Sequence, residues 1–106
     1  MANSFNKDIL LQAPDPEIAA AFYIRELGFT VTGRSTDLIS LEGPQINLYI
    51  ERGPALGPVL ELLHLGDLGA TRRRLEAAGC TIIKDEPEFP RCYVKDPFGL
   101  IYNLSR

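Results

Sequence analysis

The chain opens its regular patterning at Asp8-Ile9-Leu10-Leu11-Gln12-Ala13, a short apolar run closed by polar and Pro residues. That length and those flanks predict a first strand. Asp15-Pro16-Glu17 follows with a helix-capping acid, a proline suited to the first helical position and an acid in the first turn. Ile18, Ala19, Phe22, Tyr23 and Leu27 then recur at helical spacing, and Gly28 is placed to stop the helix. Phe29–Arg34, Leu38–Glu42 and Gln45–Glu51 read as three strands, separated by the turn signals Ser35-Thr36-Asp37 and Gly43-Pro44.

The same order then begins again. Val59–Leu65 is a second apolar run, and Asp67 is a second capping acid. Leu68, Thr71, Leu75 and Ala78 form a helical stripe that ends at Gly79. Cys80–Lys84, Arg91–Lys95 and Leu100–Leu104 complete the set as strands, with Pro87, Pro90 and Asp96-Pro97-Phe98-Gly99 at the turns. The capping acids lie 67 − 15 = 52 residues apart and the stop glycines 79 − 28 = 51, so one residue separates the two copies in register. The repeat predicts an α+β chain of two paired βαβββ modules, about 8–51 and 59–104, within one domain. A single helix covers only one face of each sheet, so the expected result is a curved sheet whose other face lines a cleft.

Alternation assigns residues to that cleft: Asp8, Leu10 and Gln12 from the first strand, then Asn47, Tyr49 and Glu51. The second module is expected to add Leu60, Leu62, His64, Arg91, Tyr93, Ile101 and Asn103. Aromatic, amide and a few charged groups on an otherwise apolar surface suit an organic ligand. The ligand-binding candidates are Tyr49, Glu51, Tyr93, Arg91, Asn103, Asp8 and His64.

Composition narrows the classes of function. Of 106 residues, 45% are hydrophobic and 24% charged, which is ordinary for a folded chain. Lys plus Arg number 11 against 14 for Asp plus Glu, a net charge of −3 that disfavours nucleic-acid binding. No apolar run reaches the roughly 18 residues of a membrane span, and Met1–Lys7 carries no charged-then-apolar leader pattern, so a cytoplasmic protein is expected. The single histidine, His64, excludes a site with two His ligands, and no acid or nucleophile stands beside it to make it a general base. Cys80 and Cys92 are too few for a disulfide framework and are read as reduced, inert thiols. Arg72-Arg73-Arg74 spreads round its helix and reads as a solvated face.

Ala13-Pro14-Asp15-Pro16-Glu17, Ala21-Phe22-Tyr23 and Leu27-Gly28-Phe29 together resemble the opening module of the vicinal oxygen chelate superfamily, which groups glyoxalase I, extradiol dioxygenases, fosfomycin-resistance enzymes and bleomycin-resistance proteins. Leu65-Gly66-Asp67-Leu68, Arg74-Leu75-Glu76-Ala77-Ala78-Gly79 and Val94-Lys95-Asp96-Pro97-Phe98-Gly99 resemble its second module. The resemblance implies paired βαβββ modules and a homodimer, with strand exchange between copies as an option. It also implies where metal ligands stand in the metal-dependent members: Asp8, Tyr49, Leu60 and Asn103 here, with Glu51 two residues beyond Tyr49. Leucine cannot bind a divalent ion, and tyrosine and asparagine are weak ligands beside histidine and carboxylate. The expectation is therefore a metal-independent binder of a small molecule such as an antibiotic, without a cofactor and without catalytic residues. The alternative is a metal-dependent lyase, isomerase or dioxygenase whose ligands are displaced to Asp8, Glu51 and His64. A third reading is a dimerisation module whose cleft is filled, with Leu60 and Leu62 meeting across it.

Overall fold

The computed structural model describes residues 4–63, 67–86 and 91–105. His64 and the turn prolines Pro87 and Pro90 fall outside these residues. The chain is α+β and divides into two compact units, one of Lys7–Pro58 and one of Val59 onward joined by the first residues of β1.

In the first unit, β1 (Ser4–Ala13), α1 (Pro16–Leu27), β2 (Thr30–Arg34), β3 (Leu38–Glu42) and β4 (Asn47–Arg52) form the sheet order β2-β3-β4-β1. β1 runs parallel to β4, and the other neighbours are antiparallel. The helix ends are fixed by the residues that announce them. The Asp15 carboxylate accepts hydrogen bonds from the backbone N–H of Glu17 at 3.0 Å and of Ile18 at 3.4 Å, satisfying two amides that a helix start leaves without partners. Gly28 takes φ +78°, and its N–H reaches the Ile24 carbonyl at 3.2 Å. The core lies between α1 and one sheet face: Ala20 packs with Ile39, Leu41, Leu48 and Ile50, joined by Ile9 and Leu11. Asp8, Leu10, Gln12, Asn47, Tyr49 and Glu51 alternate with these and so stand on the face away from the helix.

The second unit repeats the plan with β5 (Leu56–Leu63), α2 (Leu68–Ala77), β6 (Thr81–Glu86), β7 (Arg91–Lys95) and β8 (Ile101–Ser105), in the order β5-β8-β7-β6. Asp67 caps α2 as Asp15 caps α1, accepting from Gly69 N–H at 2.8 Å and Ala70 N–H at 3.3 Å. The helix closes on Ala78, one residue before Gly79 at φ +103°. In the Asp96–Gly99 turn, the Asp96 carboxylate accepts from the N–H groups of Phe98 and Leu100 at 2.9 and 3.0 Å, and Gly99 takes φ +105°. That turn is structural, as expected. Phe5, at the start of β1, meets Tyr102 edge to face at 6.0 Å.

One expectation is overturned here. Leu60 and Leu62 lie under α2 with Cys92, Val94, Tyr102 and Leu104. The face away from the helix instead receives Val59 and Glu61, which pair with Ile101 and Asn103 across the parallel strands. The parity was open because Val59, Leu60, Leu62 and Leu63 put apolar side chains on both faces of β5. The lone charge, Glu61, decides it, because a carboxylate buried beneath the helix would have to give up its hydration. The filled-cleft reading loses the Leu60–Leu62 contact that would have favoured it.

Candidate functional site

Each unit places a carboxylate beside an asparagine amide where its parallel strands pair, on the face away from its helix. In the first unit Asp8 and Asn47 stand opposite one another, and Asn47 Nδ2 donates to Asp8 Oδ1 at 2.9 Å. In the second, Glu61 and Asn103 stand opposite one another, and Asn103 Nδ2 donates to Glu61 Oε1 at 2.8 Å. Only the NH₂ end of an amide can donate, so the carboxylate fixes which way each amide points. The two carbonyl ends therefore face the remaining surroundings.

Those two ends meet different fates. Asn103 Oδ1 accepts from the backbone N–H of Cys92 at 2.9 Å, which leaves the amide bonded at both ends. Asn47 Oδ1 is buried and has no hydrogen-bond partner. A buried acceptor left without a donor costs about 1–3 kcal/mol, so this atom carries an unmet demand.

Around Asn47 the first unit's face is acidic and aromatic. Asn47 pairs with Glu42 on β3, Tyr49 pairs with Leu10 and Ser40, and Glu51 pairs with Gln12 and Leu38. Gln12 Nε2 donates to the Pro54 carbonyl at 3.2 Å, tying the end of β1 to the loop after β4. Tyr49 and Glu51 are half-buried.

The second unit's face is more tightly closed. Tyr93 is only 2% exposed and Asn103 9%. The Lys84 ammonium lies 5.5 Å and the Arg91 guanidinium 5.7 Å from the Tyr93 ring centre, within cation–π range. Arg91 also pairs with Glu86 at 3.3 Å. Tyr93 and Asn103 are buried in the second unit, while Asp8 stands opposite Asn47 and Tyr49 and Glu51 follow two and four positions along the same face of β4. His64 lies outside the described residues. Sequence reasoning missed Glu61 and did not select Asn47, although a lone charge inside an apolar strand and an amide one strand from an acid were legible signals.

The described residues at the expected ligand positions do not form a donor set for a divalent metal. Among the described residues no group of three or more His, Cys, Asp or Glu side chains comes together. The family positions hold Asp8, Tyr49 and Asn103, and Leu60 turns toward α2. First-row metals are held by three or four such ligands. Both cysteines are free, and burial pushes the Cys92 thiol above its ordinary range, which disfavours its reactive thiolate. Arg72, in the basic run, bonds to Asp85 at 2.7 Å and approaches Glu76 at 3.6 Å, so it braces α2 against β6.

The two-unit plan has counterparts among solved structures. A glyoxalase/bleomycin resistance protein/dioxygenase superfamily member from Vibrio splendidus superposes with a TM-score of 0.60 at 16% identity, covering 95% of this chain and 97% of that one. The chain has the vicinal oxygen chelate fold. A hypothetical protein from Bacillus halodurans shares this fold at a TM-score of 0.65 and 13% identity, over 98% of this chain and 94% of the other. Homoprotocatechuate 2,3-dioxygenase from Brevibacterium fuscum, in an anaerobic complex with 3,4-dihydroxyphenylacetate, gives 0.63 at 21% identity over 97% of this chain. There the chain matches 37% of the enzyme, so it spans little over a third of that protein. No protein-family model and no curated protein matches the sequence. At these identities a vicinal oxygen chelate fold is shared and activity is a separate question. No described helix is long and apolar enough to cross a membrane.

Proposed function

We propose that the chain binds a small organic molecule without a metal, on the helix-distal face of its first unit. The observation that carries this reading is Asn47 Oδ1, a buried acceptor without a partner beside the Asp8 carboxylate. A ligand offering an N–H or O–H donor relieves that demand once the side chains that cover Asn47 Oδ1 give way, and Tyr49 and Leu10 supply the aromatic and apolar surface for its body. A donor-rich aromatic compound meets both requirements. The dioxygenase of like fold was solved with 3,4-dihydroxyphenylacetate, a ring carrying two hydroxyls, and that compound is a reasonable first probe.

The test is a thermal-shift screen of hydroxyl- and amine-bearing aromatic compounds, 3,4-dihydroxyphenylacetate among them, run beside elemental analysis of the purified, untagged protein. The expected result is sub-stoichiometric metal and a stabilising compound whose affinity falls about tenfold or more in Asn47→Ala and in Tyr49→Ala. Near-stoichiometric metal, or binding indifferent to both substitutions, overturns the reading. The alternative reading, a metal-dependent lyase, isomerase or dioxygenase with ligands displaced to Asp8, Glu51 and His64, predicts near-stoichiometric metal that is lost in Glu51→Gln.

A further inference from the structure

The two helices are held to their sheets with unequal strength. α1 buries Pro16 and Ala20, and Ala19, Tyr23 and Ile24 pack against the core beneath it. α2 has no fully buried residue, and its apolar grip on the sheet is Leu68 and Leu75, both half-buried. With 10 residues it is also shorter than the roughly 12–15 that a free helix needs to persist in water, so α2 depends on what docks it. Its strongest tie is polar. Arg72 reaches Asp85 of β6 at 2.7 Å, with both side chains partly open to water, where an ion pair contributes little.

Beneath α2 lies Cys92, 6% exposed and packed with Leu62, Val94, Tyr102 and Leu104. Arg72 and Glu76 of α2 and Asp85 of β6 all act electrostatically on its sulfur, which places the thiol close to the helix. While α2 is docked the thiol is both covered and held in its protonated form by burial. Its reactivity therefore reports whether the helix is in place.

We infer that α2 undocks from its sheet as a separate unit while the strands beneath it and α1 stay in place. A segment with few buried apolar contacts opens at a lower free energy than the structure that carries it. The opened state uncovers the Cys92 thiol together with Leu60, Leu62 and Leu104, an apolar face that the docked helix hides. The strands have their own fastening on the other side of the sheet. There Asn103 donates to Glu61 at 2.8 Å and accepts from the Cys92 N–H at 2.9 Å, tying β5, β7 and β8 together without help from α2.

Timed alkylation of the full chain with iodoacetamide tests the inference. The Cys92 thiolate displaces iodide, its proton passes to the buffer, and tryptic cleavage after Lys84 and Arg91 separates the Cys92 peptide from that of Cys80. Cys92 is expected to label in native buffer faster than unfolding of the whole chain allows. Asp67→Ala, which removes the α2 cap, is expected to speed that labelling about fivefold, and Asp15→Ala, which removes the α1 cap, to leave it unchanged. Hydrogen exchange supplies a reading that does not involve the thiol: the amides of α2 lose protection before those of α1 and before those of β7 and β8. Labelling only at the rate of whole-chain unfolding, equal acceleration by the two cap variants, or no acceleration by Asp67→Ala overturns the inference. So does α2 losing protection together with β7 and β8, since the second unit then opens as a whole.

Discussion

The two units follow one plan and use it differently. Both set an acid against an asparagine where parallel strands meet, yet the second unit closes its pair with the Cys92 N–H and the first leaves Asn47 Oδ1 without a donor. Their cores diverge in the same direction. The first unit's fully buried residues are aliphatic, Ala20 with Ile39, Leu41, Leu48 and Ile50, whereas the second includes the Cys92 thiol and the Tyr102 phenol. The lesson is that a duplicated frame can close an acid–amide pair fully in one copy and leave the amide oxygen of the other without a donor.

The sharpest way to break this comparison is to delete each amide in turn. Asn103→Ala removes two hydrogen bonds, one to a carboxylate, and strands the buried Cys92 N–H, so denaturant unfolding should show a loss of about 3 kcal/mol. Asn47→Ala removes one bond together with an atom that was never satisfied, and the loss should stay below about 1 kcal/mol. Equal losses would mean that the two pairs do the same work.

Next in size is the alkaline limit of the second unit. Burial, then the hydroxyl's contact with the Cys80 sulfur at 3.8 Å, push the Tyr102 phenol from 10.0 up to about 12. The unfolded chain releases this proton near pH 10 and the folded chain holds it to about pH 12. The contribution is therefore complete below pH 10 and declines as pH rises through 12, by up to about 2–3 kcal/mol. Urea midpoints from pH 9 to 12 should fall for the wild type and fall less for Tyr102→Phe; parallel curves would remove Tyr102 as the cause.

The smallest effect is also the most symmetric. Asp15 and Asp67 each accept from two N–H groups at a helix start, so Asp15→Ala and Asp67→Ala should each lower stability by about 1 kcal/mol. A gap between them larger than about 0.5 kcal/mol in chemical unfolding would show that one helix depends on its cap more than the other.

Much of the fold was legible in the sequence because local chemistry announces it. Asp15, Gly28 and Asp67 mark helix ends through backbone groups that only such residues satisfy, and the repeat of strand, helix and three strands follows from turn residues at matching spacing. Strand limits were less legible. β1 begins at Ser4 rather than at Asp8, and β5 at Leu56 rather than Val59, because pairing with neighbouring strands extends a strand past its apolar run. The candidate site was half legible. Asp8, Tyr49 and Glu51 emerged from alternation, since β1 and β4 mix polar and apolar residues at period two; β5 does not, and Leu60 and Leu62 went to the wrong face.

The sequence by itself determined the α+β class, the duplicated module, and its caps and turns, because each is written in residues a few positions apart. Only the tertiary structure decided which face of β5 carries Glu61, that Asn103 finds the Cys92 N–H while Asn47 finds no donor, and that Phe98 stands clear of the fold. Those outcomes depend on partners dozens of residues away, where hydrogen bonding and burial are settled by packing and leave no trace in local spacing.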